Sequence, residues 1–290
     1  MNYVFMTDSN SDLPYTLQDE HKIPIVYMPY TLDGVEYFAD LGRSGESSAF
    51  FNKMRAGANP VTSLLPTADY LNYFEPIIKK QDLLFIAFSS QLSATIQNIY
   101  AARDQLLQKY PGRKFLIADT MSISGPQINL ILGAHALYRE GQPIEAVAQW
   151  VEDNKMRSQA WLTVDDLKYL KRGGRISGAA AFFGTMLSLK PILVMGKGGK
   201  ISPAEKVQGR QKALHVLAER TAQNIEDPEN QTLIVMHADA IDDAQRLADL
   251  IRQRVPTLRD IRFVFVGPVI GTHCGPGTVA SCFMGKERAI

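Results

Sequence analysis

The sequence predicts an α/β protein of two domains: an N-terminal α/β/α domain built on a parallel sheet, and a C-terminal α/β domain with a mixed or antiparallel sheet. Its 290 residues are enough for one large domain or two ordinary ones. Hydrophobic residues make up 46% of the chain and charged residues 21%, which is typical of a globular protein with a core. Strand and helix patterns alternate in the first half, whereas the second half adds a hairpin.

The first half predicts a parallel sheet. Four apolar runs are typical of buried strands: residues 2–8, 23–30, 82–88 and 114–119. Helices are predicted from amphipathic spacing: residues 66–80, 93–110 and 143–157. Strands that are separated by helices pair in parallel through crossover connections. We place the domain boundary near residue 158, which gives domains 1–158 and 159–290.

The second half predicts a different kind of sheet. Residues 191–208 contain two strand-like runs around the glycine-rich turn 196–200, a pattern typical of a β-hairpin. The other predicted strands are residues 160–164, 232–238 and 261–266. The other predicted helices are residues 165–174, 211–225 and 242–255, and glycines end the first of them. Because a hairpin is mixed with helices, we expect a mixed or antiparallel sheet.

Charge, cysteine and hydropathy patterns argue against several classes of protein. The chain has 31 basic and 30 acidic residues, so its charge does not direct it to nucleic acid or to an anionic membrane surface. Cys274 and Cys282 match neither a disulfide framework nor a zinc spacing and are interpreted as reduced core residues. The N-terminus lacks a signal-peptide pattern. Lys190, Pro191 and glycines interrupt the apolar segment 176–196, so we expect a buried helix and a strand there, in a soluble, cytoplasmic protein.

Small polar residues follow the predicted parallel strands, where such sheets bind ligands. They occupy residues 8–12, 89–95 and 119–124, and Thr62 and Ser63 stand before another predicted helix. One interpretation is that they cap helices, because their oxygens accept the free N–H groups of a first turn. The other is an anion site, because helix starts offer N–H groups and a favourable dipole. The residues alone leave both open.

The sequence lacks the usual catalytic and cofactor motifs. It contains no P-loop, no GxGxxG after the first strand, no HExxH and no GxSxG nucleophile elbow. Ser93 and His273 could still supply two members of a hydrolase triad. His273 lies in the glycine-rich segment 269–282, and glycines let a backbone pass close to a ligand.

Six short motifs follow one another along the chain: DSNSDLP (8–14), TSLLPT (62–67), SSQLSATIQ (89–97), DTMSISGP (119–126), DDLKYLKRGGRIS (165–177) and IGTHCGPG (270–277). In order and spacing they resemble the DegV family over essentially the whole chain. The resemblance implies a DegV-like two-domain protein that binds a long-chain fatty acid between or within its domains. It also implies a bacterial carrier, itself not an enzyme, that serves phospholipid synthesis. Such a carrier presents the carboxylate to a separate, dihydroxyacetone-kinase-like fatty acid kinase.

The resemblance also implies which residues hold the ligand. Thr62, Ser93 and His273 correspond to the positions that hold the carboxylate. The neighbouring residues of the same motifs complete the candidate ligand-binding set: Ser63, Gly271 and Thr272. The family pattern TSxPS appears here as TSLLPT, and SSxLSGTYQ appears as SSQLSATIQ. The resemblance implies no catalytic residue, no metal and no cofactor other than the bound fatty acid.

A basic segment resembles the surface that meets the kinase. Lys171, Arg172 and Arg175 place three cations within five residues, and Gly173 and Gly174 would let Arg175 turn outward. The ordinary interpretation of such a segment is a solvated helix end, where positive charge favours the helix dipole.

The apolar segment 176–196 could form the wall of an acyl tunnel or an ordinary core. Its small and large side chains, residues 179–183, could leave a slot for a tail. Burying about fifteen methylenes contributes roughly 12 kcal/mol before the entropy of binding is subtracted. Two other functions remain open: a small-molecule or ester hydrolase that uses Ser93 and His273, and a carrier of another apolar ligand without a kinase partner.

Overall fold

The computed structural model describes residues 2–176 and 189–289. The predicted tunnel wall around residues 179–183 lies outside these described residues, so it stays a prediction. The helices and strands of the first part of the chain are β1 (Tyr3–Asp8), α1 (Tyr15–His21), β2 (Ile25–Val26), β3 (Pro29–Leu32), β4 (Val35–Phe38), α2 (Ser47–Arg55), β5 (Val61–Thr62), α3 (Thr67–Ile78), β6 (Asp82–Ala87), α4 (Thr95–Lys109), β7 (Phe115–Asp119), α5 (Gly125–Arg139) and α6 (Ile144–Asn154). Those of the second part are β8 (Ser158–Thr163), α7 (Lys168–Gly173), β9 (Leu189–Met195), β10 (Ile201–Gln208), α8 (Arg210–Asn224), β11 (Thr232–His237), α9 (Ile241–Arg254), β12 (Asp260–Phe265), α10 (Pro268–Cys274) and β13 (Val279–Met284).

The first part contains the predicted parallel sheet, with strand order β2-β1-β6-β7 and every pair parallel. Helices α3 and α4 cover one face. Their apolar side chains pack with the sheet, and the ring of Phe74 lies 5.3 Å from that of Phe85 and 4.9 Å from that of Phe115, centroid to centroid. Rows of apolar residues at helical spacing therefore mark the buried faces correctly.

One predicted strand is wrong in its extent. Residues 23–30 do not form a single strand, because only β2 pairs with β1. The N–H of Met28 donates instead to the hydroxyl of Ser9, at 2.9 Å, and Pro29 has no N–H to donate. The chain then leaves for a small antiparallel sheet of order β4-β3-β5, in which Tyr30 pairs with Thr62.

The second part contains a mixed sheet, as predicted, with strand order β10-β9-β8-β13-β11-β12. The predicted hairpin is confirmed as the antiparallel pair of β9 and β10. Strands β11 and β12 are parallel and are joined through α9. Strand β13, which was not predicted from the sequence, lies in the middle of the sheet and pairs antiparallel with both β8 and β11.

Helix α10 was not predicted from the sequence. The glycine-rich segment that carries His273 contains this seven-residue helix. Gly271 allows Phe50 and Phe51 to pack against this helix, since a Cβ at this position would lie 2.6 Å from Cζ of Phe51. Gly275, at φ +78°, then ends it. The glycines thus act through packing and through the end of the helix.

Helix α5 connects the two large sheets, because it contacts β1 on one side and β8, β11 and β13 on the other. The contact is close: a Cβ at Gly125 would lie 2.6 Å from Sγ of Cys282 and 2.8 Å from Sδ of Met236. β8 begins at Ser158, beside the predicted domain boundary, which stays a prediction. None of the helices among the described residues has both the length and the apolar character required to cross a bilayer.

Candidate functional site

Thr62 and His273 meet where the two parts of the chain touch. Thr62 ends the short strand β5, and His273 lies in the last turn of α10, which packs against β5, α7 and α2. The Thr62 Oγ1 and His273 Nε2 atoms are 2.9 Å apart, which is a hydrogen bond. Two residues predicted to hold a carboxylate are therefore already in contact.

The imidazole of His273 is neutral at physiological pH. Burial above all, together with the nearby cations of Arg175 and Arg172, lowers its pKa to about 4. Its Nδ1 faces Gly173, where a Cβ would lie only 2.4 Å away, and has no hydrogen-bond partner among the described residues. If Nε2 carries the ring proton, it donates to Thr62 and leaves the threonine hydroxyl free to donate onward.

Ser93 lies in the loop between β6 and α4. Its hydroxyl donates to Oγ1 of Thr95 at 3.1 Å and accepts from the N–H of Thr95 at 3.2 Å. The residue in the N-cap position makes no side-chain capping bond at α3, α4 or α5. Side-chain capping is therefore wrong for the residues directly before α3 and α5, whereas at α4 Ser93 accepts the N–H of the first helical residue, as the capping interpretation expects.

One cavity of about 260 Å³ joins these residues. Its polar side chains include all three predicted carboxylate residues and the neighbouring Ser63: Thr62, Ser63, Ser93, Arg175 and His273. Most of the other lining side chains are apolar: Met28, Leu64, Phe88, Leu92, Ala94, Ile123, Leu170, Ile201, Val269, Ile270 and Cys274. Hydroxyl, imidazole and guanidinium groups thus line an apolar cavity, as suits an amphipathic anion.

The structure places Arg175 in the wall of this cavity. Its Nε donates to the carbonyl of Leu92 at 3.2 Å, and a second guanidinium nitrogen donates to the carbonyl of Gly173. These two carbonyls hold the side chain inward, so the expectation that it turns outward is wrong. Among the described lining residues it is the one permanent charge.

The other two residues of the basic segment remain on the surface. Lys171 and Arg172 are exposed. The guanidinium of Arg172 lies 5.5 Å from the ring centroid of Tyr169 and bonds to Asn59. This surface lies next to the cavity, because Gly173, the residue after Arg172, lies against the His273 ring.

Gly271 and Thr272, which belong to the predicted set, do not line the cavity. Gly271 accommodates Phe51, and the Thr272 hydroxyl donates to the carbonyl of Pro268 at 2.8 Å. Both shape α10 rather than face the cavity.

Asn10 and Asp12, within the polar residues 8–12 that follow the first strand, have roles that were not predicted from the sequence. Asn10 lines the cavity. Asp12 is buried, and its carboxylate accepts from the N–H of Gly267, at the start of α10, at 3.0 Å. The sequence signal for both was their position directly after the first strand. No group of three or more metal-binding side chains occurs within residues 2–176 and 189–289.

Comparison with known proteins gives a consistent result. The family model described as an uncharacterised protein of the DegV family matches residues 3–286. A DegV domain-containing protein of Clostridium perfringens is 37% identical over 99% of this chain and 98% of its own length. A fatty-acid-binding DegV family protein from Thermus thermophilus has a similar structure, with a TM-score of 0.85 and 30% identity, covering 98% of this chain and all of that one. DegV of Bacillus subtilis, a fatty acid binding protein, gives a TM-score of 0.83 at 27% identity and covers 99% of this chain and all of its own. With its motifs, its fold and these relatives in agreement, the chain belongs to the DegV family.

Proposed function

We propose that this protein binds a long-chain fatty acid and presents its carboxylate to a separate fatty acid kinase. The observation that carries the proposal is the single cavity in which Thr62, Ser93, His273 and Arg175 accompany a mostly apolar wall. Two hydroxyls and a guanidinium can donate hydrogen bonds to one carboxylate, and the neutral imidazole orients one of these hydroxyls by donating to Thr62. The relatives from Thermus thermophilus and Bacillus subtilis bind fatty acids, which supports the same class of ligand here.

In this proposal the head group and the tail have separate roles. Removing the tail from water supplies most of the binding free energy. The donors set the orientation, with Arg175 neutralising the carboxylate charge and the hydroxyl of Thr62 donating directly. Because His273 is neutral, it adds no charge, and its one N–H donates to Thr62 and orients that hydroxyl.

The kinase partner is supported by the surface next to the cavity. Lys171 and Arg172 are exposed there, and cations of this kind mainly set the rate and orientation of encounter with an acidic partner. The carrier itself supplies no catalytic group in this scheme. A carrier with no kinase partner would bind the same fatty acid but would not support acyl phosphate formation.

A hydrolase that uses Ser93 and His273 is less well supported. A triad needs a hydrogen bond from serine to histidine and an acid that orients the other ring nitrogen. Here Nε2 is bonded to Thr62, the Ser93 hydroxyl is bonded to Thr95, and Nδ1 faces Gly173. We expect no turnover of acyl esters by the purified protein.

The test is to identify the ligand that copurifies with the protein. Mass spectrometry of a gentle extract is expected to show long-chain fatty acid at about one per chain. Adding a nucleotide-loaded fatty acid kinase is then expected to yield acyl phosphate. Repeated absence of acyl ligand, together with no binding of added fatty acid, would refute the carrier. Binding without phosphorylation would refute only the kinase partner.

A further inference from the structure

Asp12 connects three segments around the cavity. It follows the short turn after β1, at φ +53°, and only 6% of it is exposed. One carboxylate oxygen, Oδ1, accepts from the N–H of Gly267 at 3.0 Å, and the other accepts from the hydroxyl of Ser124. Gly267 is the residue directly before α10, the helix that carries His273.

The position of α10 depends on contacts like this one. A seven-residue helix has little stability of its own, so its location is set by what packs around it. Phe51 contacts it at Gly271. Tyr169 contacts it at Gly275, where an added Cβ would lie only 2.2 Å from the tyrosine ring. At its start a Cβ on Gly267 would lie 2.7 Å from Oδ1 of Asp12, which shows how closely the carboxylate approaches the backbone.

We propose that Asp12 is a positioning residue for His273: by accepting the Gly267 N–H, it fixes the start of α10 so that the imidazole meets Thr62 across the two parts of the chain. Asp12 touches neither the cavity nor the imidazole. Its effect passes along the helix, because a shift of the first turn moves the last turn with it. The binding part of this inference rests on the proposed function, since it concerns how the carboxylate is held.

What the position requires is an acceptor of the right length. An asparagine keeps an oxygen for Gly267 and offers an amide to Ser124, so Asp12→Asn is the conservative variant. Asp12→Gly removes the acceptor and tolerates the positive φ, which makes it the better truncation. Ser124→Ala is the matched control, because it removes the other partner of Asp12 and leaves the Gly267 bond intact.

The test uses the full chain and three measurements. NMR of the ligand-free protein reports the Gly267 amide shift and exchange rate, and the ring nitrogen shifts of His273. Titration with palmitate reports affinity. In Asp12→Gly we expect faster exchange at Gly267, altered His273 ring shifts and an affinity that is lower by about tenfold. The palmitate affinity of Asp12→Asn is expected to stay within about twofold of the wild-type value. Ser124→Ala is expected to leave the Gly267 amide and the His273 ring unchanged.

The outcomes separate this inference from the proposed function. If the wild type binds no palmitate, the proposed function fails, while the two NMR measurements still decide the role of Asp12. An Asp12→Gly protein with wild-type Gly267 and His273 signals would overturn the positioning role, even if its melting temperature fell. If the Asp12→Gly protein does not fold, a measurement on the wild-type protein tests the positioning role instead. A scalar coupling through the hydrogen bond between the Gly267 amide and the Asp12 carboxyl carbon is expected in the wild type, and its absence overturns the inference.

Discussion

Thr62 and His273 are 211 residues apart in the sequence, and their side chains are joined by a hydrogen bond of 2.9 Å. One comes from a two-residue strand of the small sheet and the other from a seven-residue helix. Neither element is stable alone, so the pair exists only when both parts of the chain are folded against each other. The geometry of the site therefore depends on the whole fold. The stability of each site variant has to be measured alongside its ligand affinity.

Removing the Thr62 hydroxyl is expected to weaken fatty acid binding without unfolding the protein. Thr62→Val keeps the shape of the side chain, and loss of a hydrogen bond to a charged group costs about 1.5–3 kcal/mol, or at least about tenfold in affinity. Thr62→Ser keeps the hydroxyl and is the matched control. Calorimetric titration with palmitate measures the effect. Equal affinities for the valine and serine variants would remove Thr62 from the carboxylate site.

Ser93→Ala is expected to lower affinity less than Thr62→Val. The Ser93 hydroxyl donates its one proton to Thr95, so this bond must break before the hydroxyl can donate to a carboxylate. Ser90→Ala, on the same loop but outside the cavity lining, is the control. Titration of both variants with the same fatty acid compares them. A Ser93→Ala protein that matches Ser90→Ala would place the Ser93 hydroxyl away from the ligand.

Arg175 and Arg172 are expected to have different effects. Arg175→Met removes the charge in the cavity wall, so fatty acid content and affinity should fall. Arg172→Met removes an exposed cation, so fatty acid binding should stay normal while acyl phosphate formation by the kinase slows. A defect of this second kind is expected to depend on ionic strength, because salt screens exposed charges. Normal lipid content in Arg175→Met would return Arg175 to a docking role.

Gly173→Ala is expected to displace His273. The added Cβ would lie 2.4 Å from Nδ1, so the imidazole must move and its bond to Thr62 is lost or lengthened. Gly198→Ala is the control, because a Cβ there meets nothing within 4 Å. NMR of the His273 ring and fatty acid titration measure the change. If the two alanine variants behave alike, the imidazole has more freedom than this packing indicates.

The Asp12 carboxyl is expected to make stability depend on pH. Burial raises its pKa to about 7 from an ordinary value near 3.8. Between these values the unfolded chain releases a proton that the folded protein keeps, so folding loses stability as pH rises through the window, by at most about 4 kcal/mol. Asp12→Asn lacks this titration, whereas Asp8 and the buried histidines titrate in both proteins. Urea unfolding at about pH 5 and about pH 8 measures the difference.

The wild type is therefore expected to lose stability relative to Asp12→Asn as pH rises. Equal pH dependence of the two proteins would mean that the folded-state pKa of Asp12 is ordinary.

The sequence predicted the elements whose formation depends mainly on their own residues. The strands β1, β6 and β7 and the hairpin of β9 and β10 follow from apolar runs and a glycine turn. β13 was missed because Val279–Met284 begins with small residues and becomes a strand only through β8 and β11, its neighbours in space.

The candidate site likewise contains residues that were predicted from the sequence and contacts that only the folded structure shows. Thr62, Ser93 and His273 share one cavity, as the family resemblance implied, although their contacts with a ligand stay a prediction. The inward side chain of Arg175 could not be predicted, because two backbone carbonyls from separate segments hold it. Asp12 and Gly267 are likewise joined only by the fold.

The central place of β13 has a consequence for how the protein is made. Of the described strands it is the last to leave the ribosome, yet it lies between β8 and β11. Until it arrives, the hairpin side of the mixed sheet and the β11–β12 side are two separate fragments with open edges, and such edges favour aggregation. Helix α10, which brings His273, comes directly before it. An unfinished chain therefore has neither a closed sheet nor a complete cavity, and fatty acid is expected to be captured only after synthesis has passed β13.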